Sequence, residues 1–261
     1  MPDVKSCIAT MRSALPTADD HIVGALAPRG RLRAGINLSN FLLVTGHSPS
    51  GQPQGVSPSM AAALGELVGC DVDYVTFESP GAVADAAEHD AWDIGNIGAD
   101  PARAHFIQFT EAYCEIESTC LVRTASPFQS YADVDQPGIT IGTKKRAAYT
   151  LWLERHVKHA ELIQFDTMDA SLDGFLEDNL DVLAGLRPRL SEDAARLTDM
   201  RVLTDRFAAV QQAIGTPKGR HPAGADYLRQ FVANAKSSGL VQALIDEHGT
   251  TGKLTVAQDT A

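Results

Sequence analysis

Three stretches of this chain hold residues whose type and spacing could do chemistry. Arg103 lies in GADPARAHFIQFTEAY (98–113), between a strand-like run (92–97) and an apolar, aromatic-rich segment. A guanidinium there is either a solvated residue at a helix start or a carboxylate grip, since its planar fork makes two parallel charge-assisted bonds. The second stretch is GITIGTKKRAAY (138–149), which reads as a strand turning into a helix. Gly142 permits a sharp turn, Thr143 can cap the helix, and amides left unpaired at a helix start attract anions. Lys144 adds positive charge to that turn, and Lys145 and Arg146 either join it or are solvated. In the third stretch His156 and His159 share a helix end with Lys158. No acid stands at a matching spacing, so a metal site is not expected. No nucleophile elbow, phosphate-binding loop or dinucleotide glycine fingerprint is present, and no cofactor is implied.

The elements that must position these residues follow from periodicity and turn chemistry. Residues 8–27 have helical spacing broken by Pro16, and APRGR follows as a turn. LRAGIN (32–37) reads as a buried strand and HSPSGQPQG (47–55) as a loop or hairpin tip. SPSMAAALGELVG (57–69) reads as a helix with Ser57 as N-cap, Pro58 at the first position and Gly69 as the stop. A strand (71–77), a short helix (80–90) and a strand (92–98) complete a βαβαβ unit. The pattern then restarts: strand 120–124, a short helix and turn, strand 139–143, amphipathic helix 145–157, strand 161–165, helix 171–179 and strand 180–186. A strand and a further extended segment occupy 200–215. Two helices split at Ser237–Gly239 fill 225–249, and the last residues are polar and expected to fray. This alternation is the grammar of a parallel sheet covered on both faces.

The bulk numbers exclude several classes. The chain has 261 residues, 44 % hydrophobic and 21 % charged, and a formal net charge of −11. That balance is ordinary for a globular protein, and its acidity disfavours nucleic acid and anionic membrane surfaces. No run is long and apolar enough to cross a bilayer. MPDVKSCIATMRSALPTADD does not read as a secretory signal, because charged and polar residues interrupt every apolar run. As written the chain is expected to be cytoplasmic, and periplasmic if a leader has been removed. Cys7, Cys70, Cys114 and Cys120 show no metal-type spacing and read as reduced, structural thiols.

Four segments, in this order and spacing, carry a resemblance over roughly residues 31–249. They are LRAGINLSNFLLVTG, GQPQGVSPSMAAALGELVGCDVDYVTF, WDIGNIGADPARAHFIQFTEAY and ADVDQPGITIGT. The chain resembles the type II periplasmic-binding-protein fold, specifically the family 3, amino-acid-type solute-binding proteins of ABC transporters. The resemblance implies two α/β lobes with two crossings as a hinge. Lobe 1 would be 30–115 plus 209–250, lobe 2 would be 119–205, 1–29 a helical extension and 251–261 a frayed tail. It also implies a ligand taken between the lobes, buried by hinge closure. Arg103 matches the arginine that grips the ligand carboxylate. Thr143 and Lys144 would meet the ligand from lobe 2, with Asn37, Asn40 and Gln211 or Gln212 as further polar contacts.

The chain departs from that pattern in three places. Asp100 stands where the family usually has Thr, and either orients Arg103, caps the helix or meets a ligand cation. Ser59 replaces the usual acid near a helix start. The acid that would pair with a ligand ammonium falls on Leu186, followed by Arg187. An unpaired buried charge is expensive, so this points to an organic acid, such as a dicarboxylate, over an ordinary amino acid. Arg103, Lys144 and Arg187 would then share the anion, unless Arg187 is a surface residue. Glu117, at the first crossing, is either a hinge hydrogen-bonder or a general acid/base poised by burial. Two functions follow. One is a binding protein that hands a small anionic or amino-acid-like solute to an ABC permease. The other is a cytoplasmic lyase on the same fold, of the cyclohexadienyl-dehydratase type, with Glu117 catalytic.

Overall fold

The computed structural model describes residues 3–258. In chain order the elements are α1 (Val4–Ala14), α2 (Asp20–Leu26), β1 (Leu32–Asn37), β2 (Gly46–His47), β3 (Pro53–Gln54), α3 (Val56–Val68), β4 (Val72–Phe77), α4 (Pro80–Ala86) and β5 (Ile94–Gly98). Then come β6 (Ile107–Arg123), β7 (Thr140–Lys144), α5 (Ala148–His156), β8 (Glu161–Phe165), α6 (Met168–Glu177), β9 (Val182–Leu186), α7 (Arg187–Arg196) and β10 (Met200–Val202). The chain closes with β11 (Ala208–Pro217), α8 (Pro222–Ser237), α9 (Leu240–Glu247) and β12 (Thr255–Val256). It divides into two compact units: unit 1 is Met1–Glu115 with Gln211–Ala261, and unit 2 is Ile116–Val210. The chain passes from one to the other within β6 and returns within β11.

In unit 1, β1 lies between β4 and β5 and runs parallel to both, with Ala34 facing Tyr74 on one side and Ile94 on the other. The far half of β11 adds to β5 antiparallel, Gln212 opposite Gly98. Trp92 is fully buried, donates its indole N–H to the Val83 carbonyl at 2.9 Å and packs with Val83, Ile97 and Ile107. Helix α1 packs on α3, α8 and α9, so the N-terminal segment is part of this unit. In unit 2, β7 runs parallel to β8 and β9, and β9 pairs antiparallel with the far half of β6. One core lies around Val122, Ile141, Leu153 and Val182, and a second around Leu121, Phe175 and Leu183.

Several local expectations need correction. Helix α3 is capped by Gly55, at φ 145°, and not by Ser57. A Cβ at Gly55 would sit 2.2 Å from the Leu43 carbonyl oxygen, so glycine is required there. Ser57 is buried instead, its hydroxyl 3.0 Å from that of Tyr113. The segment after β9, read as a bare strand end, forms α7 with Pro188 in its first turn, where a missing N–H costs nothing. The strand at 120–124 is the end of the 17-residue β6, whose run begins in the aromatic segment after Arg103. The tail does not fray through residue 258: β12 pairs with β6, Thr255 opposite Glu115, and Leu254 and Ala257 are buried. The polar residues around Leu254, Val256 and Ala257 hid this short apolar anchor.

Candidate functional site

In unit 1 the sequence's candidate residues gather at the carboxyl ends of β1 and β5, the edge where parallel strands hand over to ligand-binding loops. Asn37 ends β1, and its side-chain oxygen accepts from the Ser39 amide at 3.1 Å and the Ser39 hydroxyl at 2.8 Å. Asn40 repeats the device, accepting from the Leu42 amide, while its carbonyl receives the Leu43 and Val44 amides. These are Asx-type turns, in which a short amide side chain stands in for backbone. After β5, the Asp100 carboxylate accepts from the Ala102 amide at 2.9 Å, and the Asp100 carbonyl from the Ala104 amide. That tightens the chain into one 3-10 turn, Arg103–His105, so the α-helix start expected for Arg103 is a single turn.

Arg103 is 5 % exposed and donates from Nη1 to the Gly98 carbonyl at 2.7 Å. A surface role is therefore ruled out: the guanidinium is sunk beside the end of β5 and braced by backbone. Gln211 enters unit 1 with its carbonyl on the Ala99 amide, and Gln212 beside it is buried. Asn96, which the sequence reading passed over, is buried in β5 and donates to the Ser57 carbonyl at 2.8 Å. A polar amide in a five-residue, fully buried strand was the available signal.

In unit 2 the register of β7 on β9, Gly142 opposite Leu183, carries Lys144 and Leu186 to one carboxyl edge. Lys144 is the last residue of β7 and 6 % exposed, and burial holds its ammonium below the ordinary lysine range. Thr143 points to the other face, as strand alternation requires. Its hydroxyl meets that of Thr150 at 2.7 Å, and it does not cap α5, whose N-cap is Ala147. The helix begins three residues later than expected because Arg146 adopts φ 59°, a left-handed turn residue with no glycine to announce it. Tyr149, one turn into α5, is buried, and burial raises its phenol above the ordinary range.

Leu186 is buried at the end of β9. Arg187, expected as an anion partner, spends its guanidinium inside unit 2. It donates to Glu117 at 2.6 Å and to the carbonyls of Leu203, Thr204 and Asp205 at 2.9 to 3.0 Å. The Glu117 side chain is 43 % exposed and is paired with Arg187, and at 3.5 Å with Arg206. Ser59, where an acid was expected, bonds His248 at 2.8 Å and ties α3 to the end of α9.

All four cysteines are free thiols. His156 donates from Nδ1 to the Trp152 carbonyl at 2.7 Å and stacks on that indole at 3.8 Å. Among the described residues no group of three or more His, Cys, Asp or Glu is arranged to hold a metal, and no helix is long and apolar enough to cross a membrane.

Comparison with solved structures finds the same fold at low identity. A solute receptor for L-cysteine from Neisseria gonorrhoeae is 18 % identical with a TM-score of 0.70, over 90 % of this chain and 99 % of that one. A putative ABC-transporter binding component from Wolinella succinogenes, complexed with lysine, is 21 % identical, TM-score 0.69, over 84 % and 95 %. The ancestral amino acid-binding protein AncCDT-1, a precursor of cyclohexadienyl dehydratase, is 17 % identical, TM-score 0.69, over 86 % and 97 %. No curated protein matches in sequence. The architecture is thus the two-lobed α/β type II periplasmic-binding-protein-like fold. The family model for bacterial extracellular solute-binding proteins, family 3, matches residues 38–251, and the chain belongs to that family.

Proposed function

We propose that this protein is a solute-binding protein of the ABC-transporter type that captures a small carboxylate-bearing ligand, amino-acid-like in size, and delivers it to a permease. Arg103 clamps the carboxylate from unit 1. Lys144 meets the ligand from unit 2. Asp100, Asn37, Asn40 and Gln211 are the polar groups flanking the clamp. The observation that carries this reading is the burial of Arg103 at the carboxyl edge of β5, braced by the Gly98 carbonyl. A guanidinium fixed in advance loses little freedom when it grips a carboxylate. Thr143 is left out of the ligand set because its side chain leaves β7 on the face opposite Lys144 and meets Thr150, and Arg187 because four acceptors within unit 2 take up its guanidinium.

The dehydratase-type alternative takes Glu117 as its general acid/base, and that half-exposed carboxylate is held by Arg187 and Arg206. A thermal-shift screen of amino acids and matched organic acids tests the proposal, with each hit re-examined by mass spectrometry after overnight incubation. A ligand that raises Tm and is recovered intact, with the shift lost in Arg103→Ala, is the expected result. A hit recovered chemically changed would replace binding with catalysis. Glutamate against glutarate in the same screen tells whether the ligand keeps its ammonium.

A further inference from the structure

Residues 203–207 join β10 to β11 and lead the chain out of unit 2. Three successive carbonyls in this segment, those of Leu203, Thr204 and Asp205, turn onto the one guanidinium of Arg187. The Thr119 hydroxyl adds bonds to the Leu203 and Asp205 carbonyls at 3.2 and 2.6 Å. The segment's own amides reach β6, Leu203 to the Cys120 carbonyl and Phe207 to that of Ser118. Arg187 also holds Glu117, the second residue of unit 2 on the incoming strand. One side chain, placed at the start of α7 directly after Leu186, thus grips both stretches of chain that join the units.

The segment and the strand β6 beside it carry a local cost. Ser118 Oγ and Asp205 Oδ1 are buried and have no hydrogen-bond partner among the described residues. Leaving such groups unpaired disfavours the arrangement, and the guanidinium bonds offset it.

We propose that Arg187 is a positioning residue: its guanidinium fixes residues 203–207 and Glu117 where the chain enters and leaves unit 2, and so sets how stiffly the connecting strands are held. The placement of these groups stands on unit 2 alone. Only its consequence, control of how readily a bound ligand is retained, rests on the binding function proposed above.

Hydrogen exchange of the full chain without ligand, followed by mass spectrometry, tests the proposal separately from the binding reading. Arg187→Met should speed exchange of the amides in 203–207 about tenfold or more, with β7 and β8 unchanged. Arg187→Lys, which keeps the charge but loses the fork, should recover part of that protection. Glu117→Gln, which leaves the three carbonyl bonds in place, should change it less than about threefold. Unchanged exchange in 203–207 for Arg187→Met, or acceleration spread evenly over unit 2, would overturn the assignment. Should Arg187→Met not fold, Arg187→Lys decides alone: equal exchange to wild type in 203–207 counts against the proposal, and a local increase supports it.

Discussion

Each unit carries one nearly fully buried carboxylate that holds two arginines, and the two are built differently. In unit 1, Asp93 has a side chain 1 % exposed and accepts from Arg33 and Arg220, which lie 60 and 127 residues away and are themselves mostly buried. In unit 2, Asp193 is 2 % exposed, but Arg189 and Arg196 are four residues before and three after it on the same helix, and Arg196 is 65 % exposed. The first cluster ties the start of β1, the approach to β5 and the turn before α8. The second mostly tidies one helix and, through Arg189, reaches Asp169 at the start of α6. A buried charge with tertiary partners is costly to expose when one partner goes, whereas a local one can turn to solvent.

The largest effect should therefore come from Asp93→Ala, about 3 kcal/mol of unfolding free energy, against about 1 kcal/mol for Asp193→Ala. Trp92 reports on unit 1 and Trp152 on unit 2, so urea unfolding followed by fluorescence in single-tryptophan variants separates them. Equal losses would remove the distinction between the clusters.

The two edges offer a second contrast, with Arg103 braced by backbone and Lys144 penalised by burial. Arg103→Ala should weaken binding of any carboxylate hit about a hundredfold, read by calorimetry. Lys144→Met should weaken it less and should change how the stability of the empty protein depends on pH. The sign follows from linkage. Burial lowers the Lys144 pKa in the folded state, so the unfolded chain binds more protons. Stability thus rises with pH from the folded pKa up to the ordinary lysine value, and Lys144→Met should flatten that rise.

A smaller pH effect belongs to unit 1. Burial lowers the His248 pKa, opposed by Glu247, so its contribution is complete above about 6.5 and falls as pH drops through the folded value. His248→Gln should reduce the loss of Tm between pH 7 and 5 and leave unit 2 unaffected. The smallest contrast is in the thiols. Cys120 in unit 2 and Cys114 in unit 1 are buried, and burial pushes both well above the usual thiol range. Cys70 is partly exposed and should be the one thiol that a disulfide reagent titrates in the native protein. Prompt reaction of a second thiol would show that one unit opens locally.

Much of the secondary structure was legible because its signals are local. The strand Leu32–Asn37 and the strand Glu161–Phe165 are bounded as their apolar runs suggest, and Gly69, at φ 74°, stops α3 as a C-cap glycine does. The turn after β7 was not legible, because a left-handed arginine carries no compositional mark. Helix α7 was hidden by its polarity, since only Leu190 and Asp193 along it are buried.

The candidate site divides the same way. Arg103 could be singled out from its place after a strand, but the reason it is fixed, the Gly98 carbonyl and burial, appears only in the folded chain. Arg187 looked equally suited to an anion, and its partners are mainly backbone carbonyls 16 to 18 residues away. Periodicity, turn residues and charge by themselves determined two α/β units and the strand ends where chemistry could sit. Which cation faces a ligand and which one holds the scaffold was decided by tertiary structure, because a guanidinium takes whatever acceptors the fold brings within 3 Å, and a carbonyl acceptor has no letter in the sequence.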